Sequence, residues 1–223
     1  MRLDQFVSQS TGMSRRQAGA CIRAGQVSIN GSVAVKAGQH VGGQEPIRLD
    51  GVLLAPPGPI YIMLHKPAGV VSATVDNAER TVLDLIDHPC RTRLHVAGRL
   101  DKDATGLLLL SNDGDWTHRL TSPRHHVAKT YRVTLAEPLP AQAARQLCAG
   151  LMLNGEAHPT LPAWLEYVGE RQVCLTIHEG RYHQVKRMFA AVGNRVLELH
   201  RERIGNWMLD PALQPGDWRF FSP

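Results

Sequence analysis

Leu3, Phe6 and Val7 recur at i, i+3 and i+4, a spacing that predicts a short amphipathic helix ended by Gly12. Ser14 and Gln17 then fit a capping box, in which the hydroxyl takes a free N–H of the next helix and the amide reaches back. Ala18, Cys21 and Ile22 form that helix's apolar stripe, and at about 100° per residue Arg16 and Arg23 fall together on the opposite face. Gly25 suits the helix stop. Val27 and Ile29 alternate up to Asn30-Gly31, a strong hairpin turn, and Val33 and Val35 return as its second strand.

Leu54-Ala55-Pro56-Pro57-Gly58-Pro59 follows, a stretch whose prolines favour an extended, semi-rigid connection. It divides the chain into a small module over residues 1–59 and a larger domain over 60–223. In the larger part, strand-like runs (Tyr61 to Leu64, Leu107 to Leu110, Tyr131 to Leu135, Val173 to Ile177, Val196 to Leu199) mix with helical patterns over Pro140 to Ala149 and Tyr182 to Val192. They follow no regular βαβ alternation, and neither GxGxxG nor a P-loop is present. The expected class is α+β, with a mainly antiparallel mixed sheet flanked by helices.

Composition narrows the picture. The 223 residues carry 25 Lys+Arg against 20 Asp+Glu, a net +5, and 43% hydrophobic residues, enough to build cores. Residues 1–59 hold six basic and three acidic residues, so +3 of the excess sits in about a quarter of the chain. A local basic excess suggests a polyanionic partner. No apolar run approaches the roughly 20 residues of a membrane span, and the amino terminus lacks a secretory pattern, so a cytoplasmic protein is expected. Cys21, Cys90, Cys148 and Cys174 have no CxxC or other metal spacing, and the histidines form no HExxH pattern.

The densest segment is Gly98-Arg99-Leu100-Asp101-Lys102-Asp103-Ala104-Thr105-Gly106, followed by four leucines that must be buried. Asp101 and Asp103 therefore sit at the lip of a core element. Taken alone, the two aspartates allow several readings. They can serve only the turn. They match the start of an EF-hand loop, which then fails at its last position, where Asn112 replaces the bidentate Glu. They also contain the DxDxT motif of haloacid-dehalogenase phosphatases, although no buried strand leads directly into Asp101.

A family resemblance explains more. GRLDKDATGLLLL is similar to the GRLDxxTxGL signature of pseudouridine synthases. Lys129-Thr130-Tyr131-Arg132-Val133 resembles that family's KxYxV strand, and the run from Glu179 to Met188 resembles the segment that supplies its basic residue. His65-Lys66-Pro67-Ala68-Gly69 is similar to its NKPxG strand. RLDxF and SRRQAGACIRAGQVSINGSV resemble an S4 RNA-binding domain, which points to the RsuA-type branch that acts on rRNA. Ala104 departs from the Thr often found there, and Lys186 from an Arg, whose bidentate fork a lysine lacks.

The resemblance implies isomerisation of a uridine in 16S rRNA, as free RNA or in a small-subunit assembly intermediate, by a monomer needing neither metal nor cofactor. Alternatives are the same chemistry on 23S rRNA, or a non-catalytic S4 assembly factor. Its implied catalytic residues are Asp101 as the essential carboxylate, Tyr131 against the base and Lys186 as charge partner. On the helical wheel, Lys186 lies at the edge of the stripe made by Val185, Met188, Phe189 and Val192, while Arg187 points further out. The cations expected on RNA are Arg2, Arg15, Arg16, Arg23, Lys66, Arg99, Arg124, Lys129, Arg181 and Arg187. His125 and His126 read as neutral surface residues.

Overall fold

A computed structural model describes residues 1–42, 45–54, 57–87 and 91–223; Ala55 and Pro56 of the expected linker, and Cys90, lie outside the described residues. The chain falls into two compact units, Met1–Ile60 with Ile86–Leu94, and Tyr61–Leu85 with His95–Pro223.

The first unit opens with α1 (Leu3–Thr11), which ends at Gly12 in the left-handed conformation. Helix α2 (Arg15–Arg23) starts on the complete Ser14/Gln17 capping box. Strands β1 (Val27–Ile29), β2 (Ser32–Val33), β3 (Ile47–Leu49) and β4 (Val52–Leu53) form a sheet in the order β2-β1-β3-β4. The returning hairpin strand is shorter than expected: Val33 and Val35 are exposed, and Ala34 between them is buried. Leu3, Phe6, Val7, Ala18, Ile22, Val27 and Ile47 make the core. Asp4, at its margin, takes hydrogen bonds from Arg2 and Arg15, and chiefly through Arg2 its pKa is lowered to about 2. The segment Ile86–Leu94 belongs to this unit, with Arg93 donating to the Gln9 carbonyl at 3.2 Å. A hydrophobic pattern cannot show such a return of the chain.

The second unit contains β5 (Tyr61–Lys66), β6 (His95–Val96), β7 (Thr105–Ser111), α3 (Gly114–Thr121), β8 (Lys129–Leu135), α4 (Ala141–Ala149), β9 (Trp164–Tyr167), β10 (Gln172–Ile177), α5 (Gln184–Ala191), β11 (Val196–Ile204), β12 (Trp207–Met208) and β13 (Trp218–Phe220). Its sheet runs β13-β5-β7-β11-β8-β10-β9, with β6 on β7 and β12 on β11. Only β7 and β11 pair in parallel among the named strands. Leu107, Leu108, Leu109 and Leu110 are all fully buried, so both faces of β7 are covered, each leucine contributing roughly 1.5–3 kcal/mol. Helix α5 starts later than the expected Tyr182, because His183 takes φ +47° and only Gln184 enters the helix.

The parallel pair depends on one glycine. Gly106 has φ +107°, and a Cβ there would overlap the backbone of Arg201 on β11. Gly106→Ala should therefore destabilise the protein by about 2–4 kcal/mol, read as a lower urea midpoint. An unchanged midpoint would show that the β7–β11 spacing is not tight.

Candidate active site

Asp101 sits in a loop whose carbonyls are nearly all occupied. Lys66, 0% exposed at the end of β5, donates from Nζ to the carbonyls of Pro67 at 2.9 Å, Lys102 at 3.2 Å and Ala104 at 2.8 Å. Arg201, 1% exposed on β11, donates to Leu107 at 2.9 Å through Nε, and to Arg99 at 3.1 Å and Gly98 at 3.0 Å through its two Nη atoms. Ser72 Oγ donates to the Leu100 carbonyl and accepts from the Leu100 N–H. The Gly69 N–H reaches the Lys102 carbonyl. Neither Lys66 nor Arg201 forms a salt bridge among the described residues, so carbonyl dipoles receive both charges directly. Burial lowers the Lys66 pKa to about 8, although Asp103 and Asp101 pull it upward.

On this frame the Asp101 side chain is 23% exposed, and its two oxygens face different groups. Oδ2 lies 3.1 Å from Lys186 Nζ, and Oδ1 lies 3.5 Å from His183 Nε2. Lys186 Nζ also donates to Asp103 Oδ1 at 2.6 Å. Burial works against this ammonium, but its hydrogen bonds to Asp103 and Asp101 prevail and raise its pKa; the bond from Lys186 also lowers that of Asp103. A compact ammonium bridges two carboxylates here without the fork an arginine would offer. Ala104, the other departure, is buried; its carbonyl accepts from Lys66 and its N–H donates to the Asp101 carbonyl, so its methyl side chain takes no part in a hydrogen bond.

Tyr131 lies on β8 opposite Arg201 and Leu175, with the residue 7% exposed. Its hydroxyl has no hydrogen-bond partner among the described residues, where no buried side-chain polar atom is left unpaired. The hydroxyl therefore keeps some access to solvent. Lys129, on the same face two residues earlier, is half-buried and donates to the Val127 carbonyl; burial, then Arg201, lowers its pKa.

The other predicted cations divide sharply. Arg16, Arg23, Arg99 and Arg124 are exposed, with no side-chain partner among the described residues. Arg2 and Arg15 are half-engaged through Asp4 and otherwise open. Three expectations need correction. Lys66 is buried and cannot reach a phosphate. Arg181 is turned inward to Glu179 and to the carbonyls of His158 and Pro159. Arg187, expected in solvent or on phosphate, is bound to Glu156 and to the carbonyls of Tyr182 and Asn154. In each case hydrogen bonds within the protein have captured a side chain that, in sequence, reads as a free surface charge.

Sequence patterns assign no role to Arg201 or His183, and leave Asp103 among turn, calcium-loop and phosphatase-motif readings with no place beside Lys186. A signal for Arg201 exists: it shares strand parity with the buried Leu199, so a charge falls on a core-facing position. Lys66 gives the same signal after Ile62 and Leu64. His183 has none, because its placement depends on a left-handed backbone that periodicity does not report.

A family model described as RNA pseudouridylate synthase matches residues 60–191, and an S4 domain model matches residues 1–47. The chain is 51% identical over 220 residues to proteins named ribosomal small subunit pseudouridine synthase A from Salmonella typhimurium and Escherichia coli, covering 98% of this chain and 95% of each relative. The Vibrio cholerae protein of that name is 47% identical over 222 residues, covering 100% of this chain and 96% of the relative. A solved structure described as a pseudouridylate synthase superposes with a TM-score of 0.72 at 44% identity, covering 100% of this chain and 96% of its own.

The buried ammonium gives a pH signature. Between about 8 and its ordinary 10.5, Lys66 holds fewer protons folded than unfolded, so this group adds stability as pH rises through that window and loses it as pH falls through about 8. Comparing unfolding free energies below and above the window, the wild type should gain more than Lys66→Met, by at most about 3 kcal/mol. Equal gains in the two proteins would contradict the burial of a charged lysine.

Proposed function

Because the chain belongs to the RNA pseudouridylate synthase family and carries an S4 domain, we propose that it converts one uridine of 16S rRNA to pseudouridine, in free RNA or an assembling small subunit. The reading is carried by a carboxylate, Asp101, held on a locked loop against the Lys186 ammonium, in a chain that matches the small-subunit enzymes along nearly its whole length. We place the reaction in the cytoplasm and assign it to a monomer.

The reaction breaks the bond from uracil N1 to ribose C1′, turns the base and joins C5 to C1′. One proton leaves C5 and one is gained at N1, so the change is an isomerisation that balances without oxidant or reductant. Asp101 starts it, either by attacking C1′ and expelling uracil as its anion, or by taking the C2′ proton; both routes need the same ionised carboxylate beside the sugar. The Lys186 ammonium, 3.1 Å from Oδ2, holds the carboxylate in position. Tyr131 offers a ring against the uracil, and its open hydroxyl can hydrogen-bond the base or pass a proton. The target atoms are inaccessible in a stacked helix, so the uridine must leave the stack. Arg99, exposed and two residues before Asp101, is placed to hold the displaced backbone.

Tritium release from small-subunit RNA labelled at uracil C5 tests the assignment. Asp101→Asn should lose activity on the order of 10⁴-fold or more, and Lys186→Met about 10²-fold. Equal release by wild type and Asp101→Asn would remove Asp101 from the mechanism, and no release by wild type would remove the 16S target.

The front module carries its own expectation. Replacing Arg16 and Arg23 together by Ala should make the dependence of log K on log salt shallower by about 0.7–0.9 per arginine. An unchanged slope would take the exposed face of α2 out of the RNA contact.

A further inference from the structure

The turn before α5 is held from both sides yet ends in an aromatic ring that, among the described residues, stacks on its neighbour alone. Arg181 is fixed by Glu179 at 3.0 Å and by the carbonyls of His158 and Pro159 at 2.7 and 2.6 Å, and its own N–H donates to Gln184 Oε1 at 2.9 Å. From the helix side, Arg187 donates to the Tyr182 carbonyl at 3.1 Å and to Glu156 at 2.7 Å. Between these anchors His183 holds a left-handed backbone at φ +47°, uncommon for a residue other than glycine and found preferentially at functional sites. Tyr182 is 76% exposed, and its ring lies flat on the His183 imidazole, with centroids 3.9 Å apart and planes at 18°. The same imidazole reaches Asp101 through Nε2.

We infer that Tyr182, backed by His183, is a stacking ledge for a nucleobase that flanks the target uridine, an inference that rests on the RNA-modifying reading of the Asp101 site. A phenol ring presented to solvent on a turn this heavily anchored is preorganised, so little ordering entropy is lost when a base settles on it. Its ligand is planar and aromatic, because the exposed surface is a ring face already aligned with a second ring. It is a flanking base rather than the reacting uracil, because among the described residues no hydrogen bond joins Tyr182 to Asp101, and His183, stacked on the ring, is the group that reaches the carboxylate. Stacking is tolerant of base identity, so the ledge adds affinity and alignment more than sequence choice.

The test pairs Tyr182→Ala with Tyr182→Phe, each measured for small-subunit rRNA by filter binding and by C5 tritium release. Tyr182→Ala should bind about 5- to 100-fold more weakly and raise KM in parallel, with kcat close to wild type. Tyr182→Phe keeps the ring and should restore both constants to near the wild-type values. Wild-type binding by Tyr182→Ala, a loss confined to kcat, or an equal defect in Tyr182→Phe would overturn the ledge. Should wild type bind this RNA without turning it over, the 16S target falls while the binding arm still decides the ledge.

Discussion

Two buried cations that spend their hydrogen bonds on backbone carbonyls govern the architecture of this protein. Lys66 and Arg201 come from different strands, yet together they fix the carbonyls of Gly98, Arg99, Lys102, Ala104 and Leu107. Burying a charge is costly unless it is fully hydrogen-bonded, and here the compensation comes from the loop that carries Asp101. The loop and the cations are thus mutually dependent: without the carbonyls the charges would not be tolerated, and without the charges the carbonyls of Gly98, Arg99 and Ala104 would lose their side-chain donors. Because these cations form no salt bridge among the described residues, Asp101 remains available to Lys186 and His183.

The sheet supplies the geometry for this arrangement. Parallel pairing of β7 with β11 sets Arg201 beside Gly106, and antiparallel pairing of β11 with β8 sets it opposite Tyr131. One residue therefore links the loop of the carboxylate to the strand of the aromatic ring. Lys186 approaches from α5, whose first turn is positioned by Arg181 and Arg187. Four cations, Lys66, Arg201, Arg181 and Arg187, spend their hydrogen bonds on shaping the site, while Arg16, Arg23, Arg99 and Arg124 stay exposed.

Much of this was legible in the residues. The Ser14/Gln17 box, the stop at Gly12 and the Asn30-Gly31 turn are local signals, decided by a few neighbouring atoms, and they appear as expected. The GRLD, KTY and YHQVK segments marked Asp101, Tyr131 and Lys186 as a set, and the fold brings Lys186 to Asp101 within 3.1 Å. Charged residues read least well, since a lysine or arginine has the same sequence signature whether it faces solvent or an interior carbonyl. Lys66, Arg181 and Arg187 were misjudged for that reason, and Arg201 was passed over. The grouping of Ile86–Leu94 with the first unit and the left-handed His183 depend on tertiary placement, which periodicity does not encode.

The Asp101 loop is held from within by its cations, and amide hydrogen exchange in Arg201→Lys tests this directly. The substitution keeps the charge but removes the fork that reaches three carbonyls at once. Protection should fall at Leu100 and Ala104, whose N–H groups bond inside the loop region, while β8 and β10 keep theirs. Wild-type protection at Leu100 and Ala104 in the folded variant would mean that the loop holds itself, and that the buried arginine does not position the carboxylate.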